Sequence, residues 1–238
     1  MRPIGFSTGA LAKQDFRRAL VCLRLYNIPV VELSALRLNE LEPLVGAIAD
    51  LDLSSFQFVS FHAPSHLARS DESHVTDQLR LVVGRGIPVV AHPDVIATDQ
   101  SWEWMGQHLL IENMDKRKPV GRTSKELKYL FDRFPKSRFC FDIGHARQVD
   151  PTMVEARLIL ESFGDRLVQV HLSEVNTGSR HDPLSVNAIS AFQSVATLIP
   201  ETVPIILETL IDQGQSDMLT EIERARRALD SPVSAVAS

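Results

Sequence analysis

Phe139-Cys140-Phe141-Asp142 is a short apolar run that stops on a carboxylate, and His145 follows three residues later through Ile143 and Gly144. The same ending recurs on both sides of it. Upstream, Leu109-Leu110-Ile111 stops at Glu112, Val89-Val90-Ala91 at His92, Phe58-Val59-Ser60-Phe61 at His62, and Val30-Val31 at Glu32. Downstream, Val168-Gln169-Val170 stops at His171 and Ile205-Ile206-Leu207 at Glu208. If these runs are parallel strands of one closed sheet, their polar ends meet at one rim.

The sequence between the runs has helical periodicity. It predicts helices over 15–26, 37–49, 73–85, 124–134, 152–163, 186–198 and 217–229. Asn27-Ile28-Pro29, Gly86-Ile87-Pro88, Phe134-Pro135 and Pro200 punctuate four of their ends. Thr123 with Glu126 three residues later fits a capping box, in which each side chain satisfies a backbone N–H of the other. Ile4-Gly5-Phe6-Ser7 adds a first strand candidate, and the unit around Trp102-Glu103-Trp104 is short. Eight strand-then-helix units spell a single-domain (β/α)8 TIM barrel over 1–230. The small, uncharged end, 231–238, reads as a flexible C-terminal tail.

Strand alternation tests this reading without any motif, because residues i and i+2 point the same way. An inward Asp142 takes Cys140 with it and sends Phe139 and Phe141 to the helices. Glu208 likewise goes with Ile206, His62 with Ser60 and Phe58, and His171 with Gln169. Val168, Val170 and Leu172 are left for the helix layer.

With 238 residues and 44% hydrophobic content, the chain has enough apolar sequence for one large core. Its net charge of −5 gives no broad basic field, so nucleic acid is not the favoured partner. Two cysteines, Cys22 and Cys140, make no disulfide framework. Neither a secretory leader nor an apolar stretch long enough to span a membrane is visible, and the expectation is a cytoplasmic protein.

Imidazole and carboxylate together suit zinc, manganese or a similar divalent ion. Four such groups suffice for one ion, and the seven of His62, His92, Glu112, Asp142, His145, His171 and Glu208 have capacity for two or three, with Glu112 bridging. An ion there either lowers the pKa of a bound water or holds neighbouring oxygens of a polyol while carboxylates move protons. Glu32 and Asn113 are candidate substrate contacts or supports for a ligand, Glu32 being equally open to a structural salt bridge; Glu174 is a candidate support, and Arg180 is a candidate either to bind a phosphate or carboxylate of a substrate or to form a structural salt bridge. Trp102 and Trp104 are either packing anchors or walls of a pocket. His66, His74 and His108 take no role.

Phe61-His62-Ala63-Pro64, Ala91-His92-Pro93, Ile111-Glu112-Asn113, Phe141-Asp142-Ile143-Gly144-His145-Ala146, Val170-His171-Leu172-Ser173 and Leu207-Glu208-Thr209 occur in one order. In that order they resemble the xylose isomerase-like barrel superfamily, which includes sugar isomerases and epimerases and endonuclease IV. Resemblance to the ketose 3-epimerase branch implies one metal on Glu112, Asp142, His171 and Glu208. It also implies proton exchange by Glu112 and Glu208, and a substrate oxygen on His145. Resemblance to endonuclease IV implies His62, His92 and Glu112 at one zinc and Asp142, His171 and Glu208 at a second. The endonuclease pattern Gly-Ser-Arg-x-Asp-x-His begins as Gly178-Ser179-Arg180-His181-Asp182 but ends on Leu184. His181 then either replaces the missing ligand or meets the substrate. The expectation is a metal-dependent isomerase or epimerase of a small sugar-like compound, with a zinc phosphodiesterase and a non-catalytic binding barrel as rivals.

Overall fold

β-branched and aromatic residues dominate the apolar runs, and all eight are strands in the computed structural model, which describes residues 2–211 and 215–230. In chain order the elements are β1 (Ile4–Ser7), α1 (Thr8–Ala12), α2 (Phe16–Leu25), β2 (Val30–Ser34), α3 (Leu38–Ala47), β3 (Phe58–His62) and α4 (Glu72–Gly84). There follow β4 (Val89–Ala91), α5 (Asp99–Glu103), β5 (Leu109–Glu112), α6 (Ser124–Arg133), β6 (Arg138–Asp142), α7 (Ile143–Val149) and α8 (Val154–Phe163). The chain ends through β7 (Leu167–Leu172), β8 (Glu174–Val175), β9 (His181–Asp182), α9 (Val186–Gln193), β10 (Ile205–Leu207) and α10 (Gln215–Leu229). β1 to β7 and β10 pair in parallel and close into an eight-stranded barrel, with β10 between β7 and β1. β8 and β9 form a separate antiparallel hairpin above the rim. The tail expected at 231–238 lies outside the described residues.

The outward faces carry the main core. Phe139, Phe141, Val170 and Leu172 are fully buried against the helix layer, as alternation requires. Val168 departs from that expectation, since it packs on Val90, Leu110 and Cys140 inside the barrel. Its physical cause is a register shift between β6 and β7. Phe139 pairs with Leu167, whereas Cys140 pairs with Gln169, so β7 carries one extra residue, and alternation resets across a bulge of this kind. Buried Cys140 plugs the barrel below the site, and burial pushes its thiol pKa up.

Two contacts explain how the sheet closes. A Cβ on Gly5 would stand 1.8 Å from the Val30 carbonyl oxygen, so only glycine lets β1 lie this close to β2. The Arg2 guanidinium donates to the carbonyls of Pro200, Ile199 and Leu229, tying the first strand to the last two units.

Three elements extend the expected set: α1, α7 and the β8–β9 hairpin. The helix expected over 186–198 stops at Gln193 and gives way to a one-turn 3₁₀ helix, Ala196–Leu198. There the Ser194 hydroxyl donates to the Ala191 carbonyl, competing with the helical ladder. The Thr123 capping box forms by half. The Thr123 hydroxyl accepts from the Glu126 N–H at 3.2 Å, but the Glu126 carboxylate takes the Arg122 N–H and guanidinium, because that neighbour offers charge as well as a donor. Trp102 and Trp104 are packing residues. The Trp102 indole donates to Glu72, and Trp104 stacks under Arg80 in the helix layer, away from the rim.

Candidate metal centre and active site

Each strand delivers its last polar residue to the barrel mouth, as the parallel register demands. Asp142 pairs with His171 across β6 and β7, and Glu208 follows β10 directly. Asp142 also caps the helix that leaves its strand, its Oδ1 accepting from the His145 N–H at 2.7 Å, which brings His145 back over the site. Gly144 makes this turn fit. A Cβ there would lie 2.5 Å from the Ser173 carbonyl oxygen and 2.8 Å from Val175 Cγ2.

Glu112 is the centre of the arrangement, and its two oxygens face different partners. Oε2 lies 3.3 Å from His62 Nε2 and 3.2 Å from His92 Nε2. Oε1 lies 3.0 Å from His171 Nδ1, which is 3.5 Å from Glu208 Oε1. Ligand atoms within 4.8 Å of one another accordingly fall into overlapping groups: His62, His92 and Glu112; Glu112, Asp142, His171 and Glu208; and His62, His171 and Glu208. His145 and His181, expected among the ligands, belong to none of these groups among the described residues. His145 Nδ1 is 3.0 Å from the Asn113 carbonyl, and His181 Nδ1 is 2.8 Å from the Ser173 hydroxyl and 3.4 Å from Glu208. Leu184, at the position where the endonuclease IV pattern has a histidine, is buried in the main core, and its N–H donates to Glu221.

The donor set fits a divalent ion. His62 holds its Nδ1 on the Ala63 carbonyl at 2.7 Å, which leaves Nε2 for a metal, and Asp142 Oδ2 is buried with no hydrogen-bond partner. Burial acts first to lower the His62 pKa, yet its hydrogen bond to Glu112 and the charges of Glu32 and Glu112 raise it to about 9. Burial pushes His92 down to about 4. Burial also acts first on Glu112, upward, but His171, His62 and His92 hold its carboxyl well below the usual range. Burial and the nearby carboxylates push Glu208 up to about 8.

Two expected substrate contacts turn out to lie beneath the site. Glu32 is fully buried, and its Oε2 accepts from Gln169 at 2.7 Å and Ser60 at 3.1 Å and lies 3.0 Å from His171 Nε2. Asn113 is also fully buried, and its amide clips the Asp142 backbone at both N–H and C=O. Each therefore orients a candidate ligand. The polar strand end that suggested a contact is the same signal a supporting residue gives, since both point inward. Glu174 binds Arg147 and the Ser185 N–H, fastening the hairpin to α7 and α9. Arg180 does line the cavity above the rim, which has a volume of about 400 Å³. Lys13, His66, Arg117 and Lys118 line it too, and only the fold reveals them, because they sit on loops that carry no periodicity.

No protein-family model and no curated protein matches the chain. Among solved structures, it is similar to a D-tagatose 3-epimerase-like protein, at 15% identity over 97% of both chains with a TM-score of 0.62. It is also similar to endonuclease IV from Thermus thermophilus, at 18% identity over 97% of this chain and 99% of that one, with a TM-score of 0.60. An archaeal fructose 1,6-bisphosphate aldolase superposes at 9% identity over 96% and 94%, with a TM-score of 0.56. These likenesses show the fold alone, a (β/α)8 TIM barrel. A barrel shared by proteins with such different names does not choose the reaction. No helix among the described residues is long and apolar enough to cross a membrane.

Proposed function

We propose that the protein is a divalent-metal-dependent isomerase or epimerase of a small sugar or related polyhydroxy compound. The observation that carries this reading is the placement of Glu112 and Glu208 in one four-ligand group with Asp142 and His171, at the floor of a small cavity that both glutamates line. Two carboxylates that share a site with a bound substrate can take a proton from one of its carbons and return it. An isomerase removes a proton from a carbon beside a carbonyl and returns it to the neighbouring carbon; an epimerase returns it to the opposite face. Glu112 and Glu208 are the assigned proton carriers. With its Nδ1 on Asn113, His145 keeps Nε2 for a substrate oxygen, and His181 sits beside it with ring centroids 5.6 Å apart. A divalent ion, zinc or manganese, held by Glu112, Asp142, His171 and Glu208 would polarise the substrate carbonyl.

Deuterium exchange from solvent into a panel of ketoses tests the reading directly. The metal-loaded protein exchanges with at least one of them, and Glu208→Gln slows that exchange at least about a hundredfold, the lower end of what a general acid–base group contributes. Chelator-free protein with less than one ion per chain, and no response to added manganese, cobalt or zinc, would sink it.

A second reading, a zinc phosphodiesterase, is supported by one specific feature. His62 and His92 converge on the Glu112 oxygen that faces away from His171, which gives capacity for a second ion. Two or three zinc ions per chain with cleavage of an abasic-site duplex favours it; one ion without cleavage excludes it.

A further inference from the structure

The walls of the cavity differ in charge from its floor. The floor is the carboxylate and imidazole set, whereas five Lys or Arg side chains line the walls and mouth. The chain as a whole carries −5, so this is a local concentration against the overall balance. Three of the five are committed to neighbouring acids. Arg37 pairs with Glu40 at 2.7 Å, Arg117 with Asp115 at 3.3 Å and Lys118 with Asp94 at 2.8 Å. Lys118 also donates to the Ser65 carbonyl, and Arg117 to that of Ser179, so these cations brace the loops.

Lys13 and Arg180 are different. Neither has an acid partner among the described residues, though both line the same cavity. Lys13 closes α1 after the first strand, and Arg180 sits just before β9 in the hairpin that follows the seventh. The sequence separates them by most of the chain, and the closure of the barrel, with β10 alone between β1 and β7, brings their loops to one opening.

We propose that Lys13 and Arg180 form an anion subsite, and that the substrate is a polyhydroxy compound carrying a phosphate ester or a carboxylate at the end remote from the metal-type floor. This rests on reading the floor as the reacting end of a sugar-like substrate. The physical reason is that two cations with no acid partner among the described residues, both lining one cavity, offer charge-assisted hydrogen bonds to an anion. A cavity of about 400 Å³ is within the range that encloses a small ligand. Such an anchor adds orientation as well as affinity, because a substrate held at both ends presents one carbon to Glu112 and Glu208.

The test measures binding to the metal-loaded protein by calorimetry, with D-fructose 6-phosphate, D-gluconate and neutral D-fructose as probes. At least one anion binds tenfold or more tightly than the neutral sugar, a factor of about ten being what one charge-assisted hydrogen bond supplies. The phosphate and carboxylate arms identify which anion the subsite prefers. Lys13→Ala and Arg180→Ala each lower that preference by about tenfold, and raised salt weakens it, while metal content stays at the wild-type value. A preference unchanged in both variants overturns the proposal. So does the absence of saturable binding of either anion below about 10 mM, or binding in which only duplex DNA competes. Solvent deuterium exchange reports separately on the reaction. Anion preference without exchange on any sugar leaves the subsite and removes the isomerase; exchange on neutral sugars with no anion preference does the reverse.

Discussion

Glu32→Gln is the sharpest perturbation the structure offers, because it deletes a charge that stands one imidazole ring behind the candidate metal and almost nothing else. Glu32 Oε2 takes three contacts, from His171 Nε2, Gln169 and Ser60, while Oε1 is buried without a partner. A glutamine keeps all three by placing its oxygen at Oε2 and its amide at the unused position. The hydrogen bond to His171 then changes from charge-assisted to neutral, a loss of about 1 to 1.5 kcal/mol. His171 becomes a weaker and less firmly oriented ligand, so metal affinity falls roughly tenfold, at the low end of the 10- to 100-fold expected when a carboxylate behind a ligating histidine is removed. Burial acts first to lower the His171 pKa, but the surrounding acids raise it well above the usual value, and an entering metal must displace that proton. The glutamine variant holds the proton less tightly, so the deficit is smaller near neutrality and widens as pH rises. Competition with a fluorescent chelator at two pH values reads both effects. An affinity within about threefold of wild type at the higher pH, with the fold intact by circular dichroism, would refute the assignment of Glu32 as the residue that orients His171. Glu32→Ala is the contrasting control, since it strands three buried donors and unfolds the protein more easily by several kcal/mol, about 3 to 5.

Three further outcomes follow from the geometry. Glu112→Ala removes the carboxylate common to two of the three ligand groups, so elemental analysis finds less metal per chain, and chelator sensitivity of the melting temperature falls; metal content equal to wild type contradicts it. Gly144→Ala drives a methyl group into the Ser173 carbonyl, costing about 1 to 3 kcal/mol, or roughly 2 to 12 °C for a chain of this size, and it displaces His145 with α7; a melting curve within a degree of wild type contradicts it. Glu72 is buried and accepts from the Ala97 and Thr98 N–H groups, the Thr98 hydroxyl and the Trp102 indole. Burial acts to raise its pKa, but those donors outweigh it and hold it below the usual value, so its contribution is complete above the ordinary carboxylate pKa and is lost as pH falls through the folded value. Glu72→Gln therefore costs about 1 to 3 kcal/mol at neutral pH, and the gap to wild type closes below about pH 4; a pH-independent gap in urea titrations excludes this account.

Much of the barrel was legible because its signal is redundant. Each strand is announced twice, by an apolar run and by the polar residue that ends it, and the helix periods fall between. What was not legible is local and has local causes. α7 hides inside the motif Asp142-Ile143-Gly144-His145, where a cap and a candidate ligand are the same carboxylate; the short α1 carries too few residues for a period. Val168 fails the alternation rule because a bulge inserts one residue into β7, and no sequence signal marks it.

The site divides in the same way. Strand-borne groups such as Glu112, Asp142 and His171 are readable because the strand fixes both their order and their direction. Direction alone, however, does not give depth. Glu32 and Glu208 both end apolar runs with inward polarity, yet Glu32 is fully buried under His171 while Glu208 reaches the cavity. Glu32 sits within β2, two residues before its end, whereas Glu208 follows the last residue of β10. Where a strand stops relative to its neighbours thus decides whether a carboxylate reaches the cavity or lies beneath it. Loop-borne groups such as Lys13 carry neither cue, and only the closure of the barrel brings Lys13 to the cavity that Arg180 also lines.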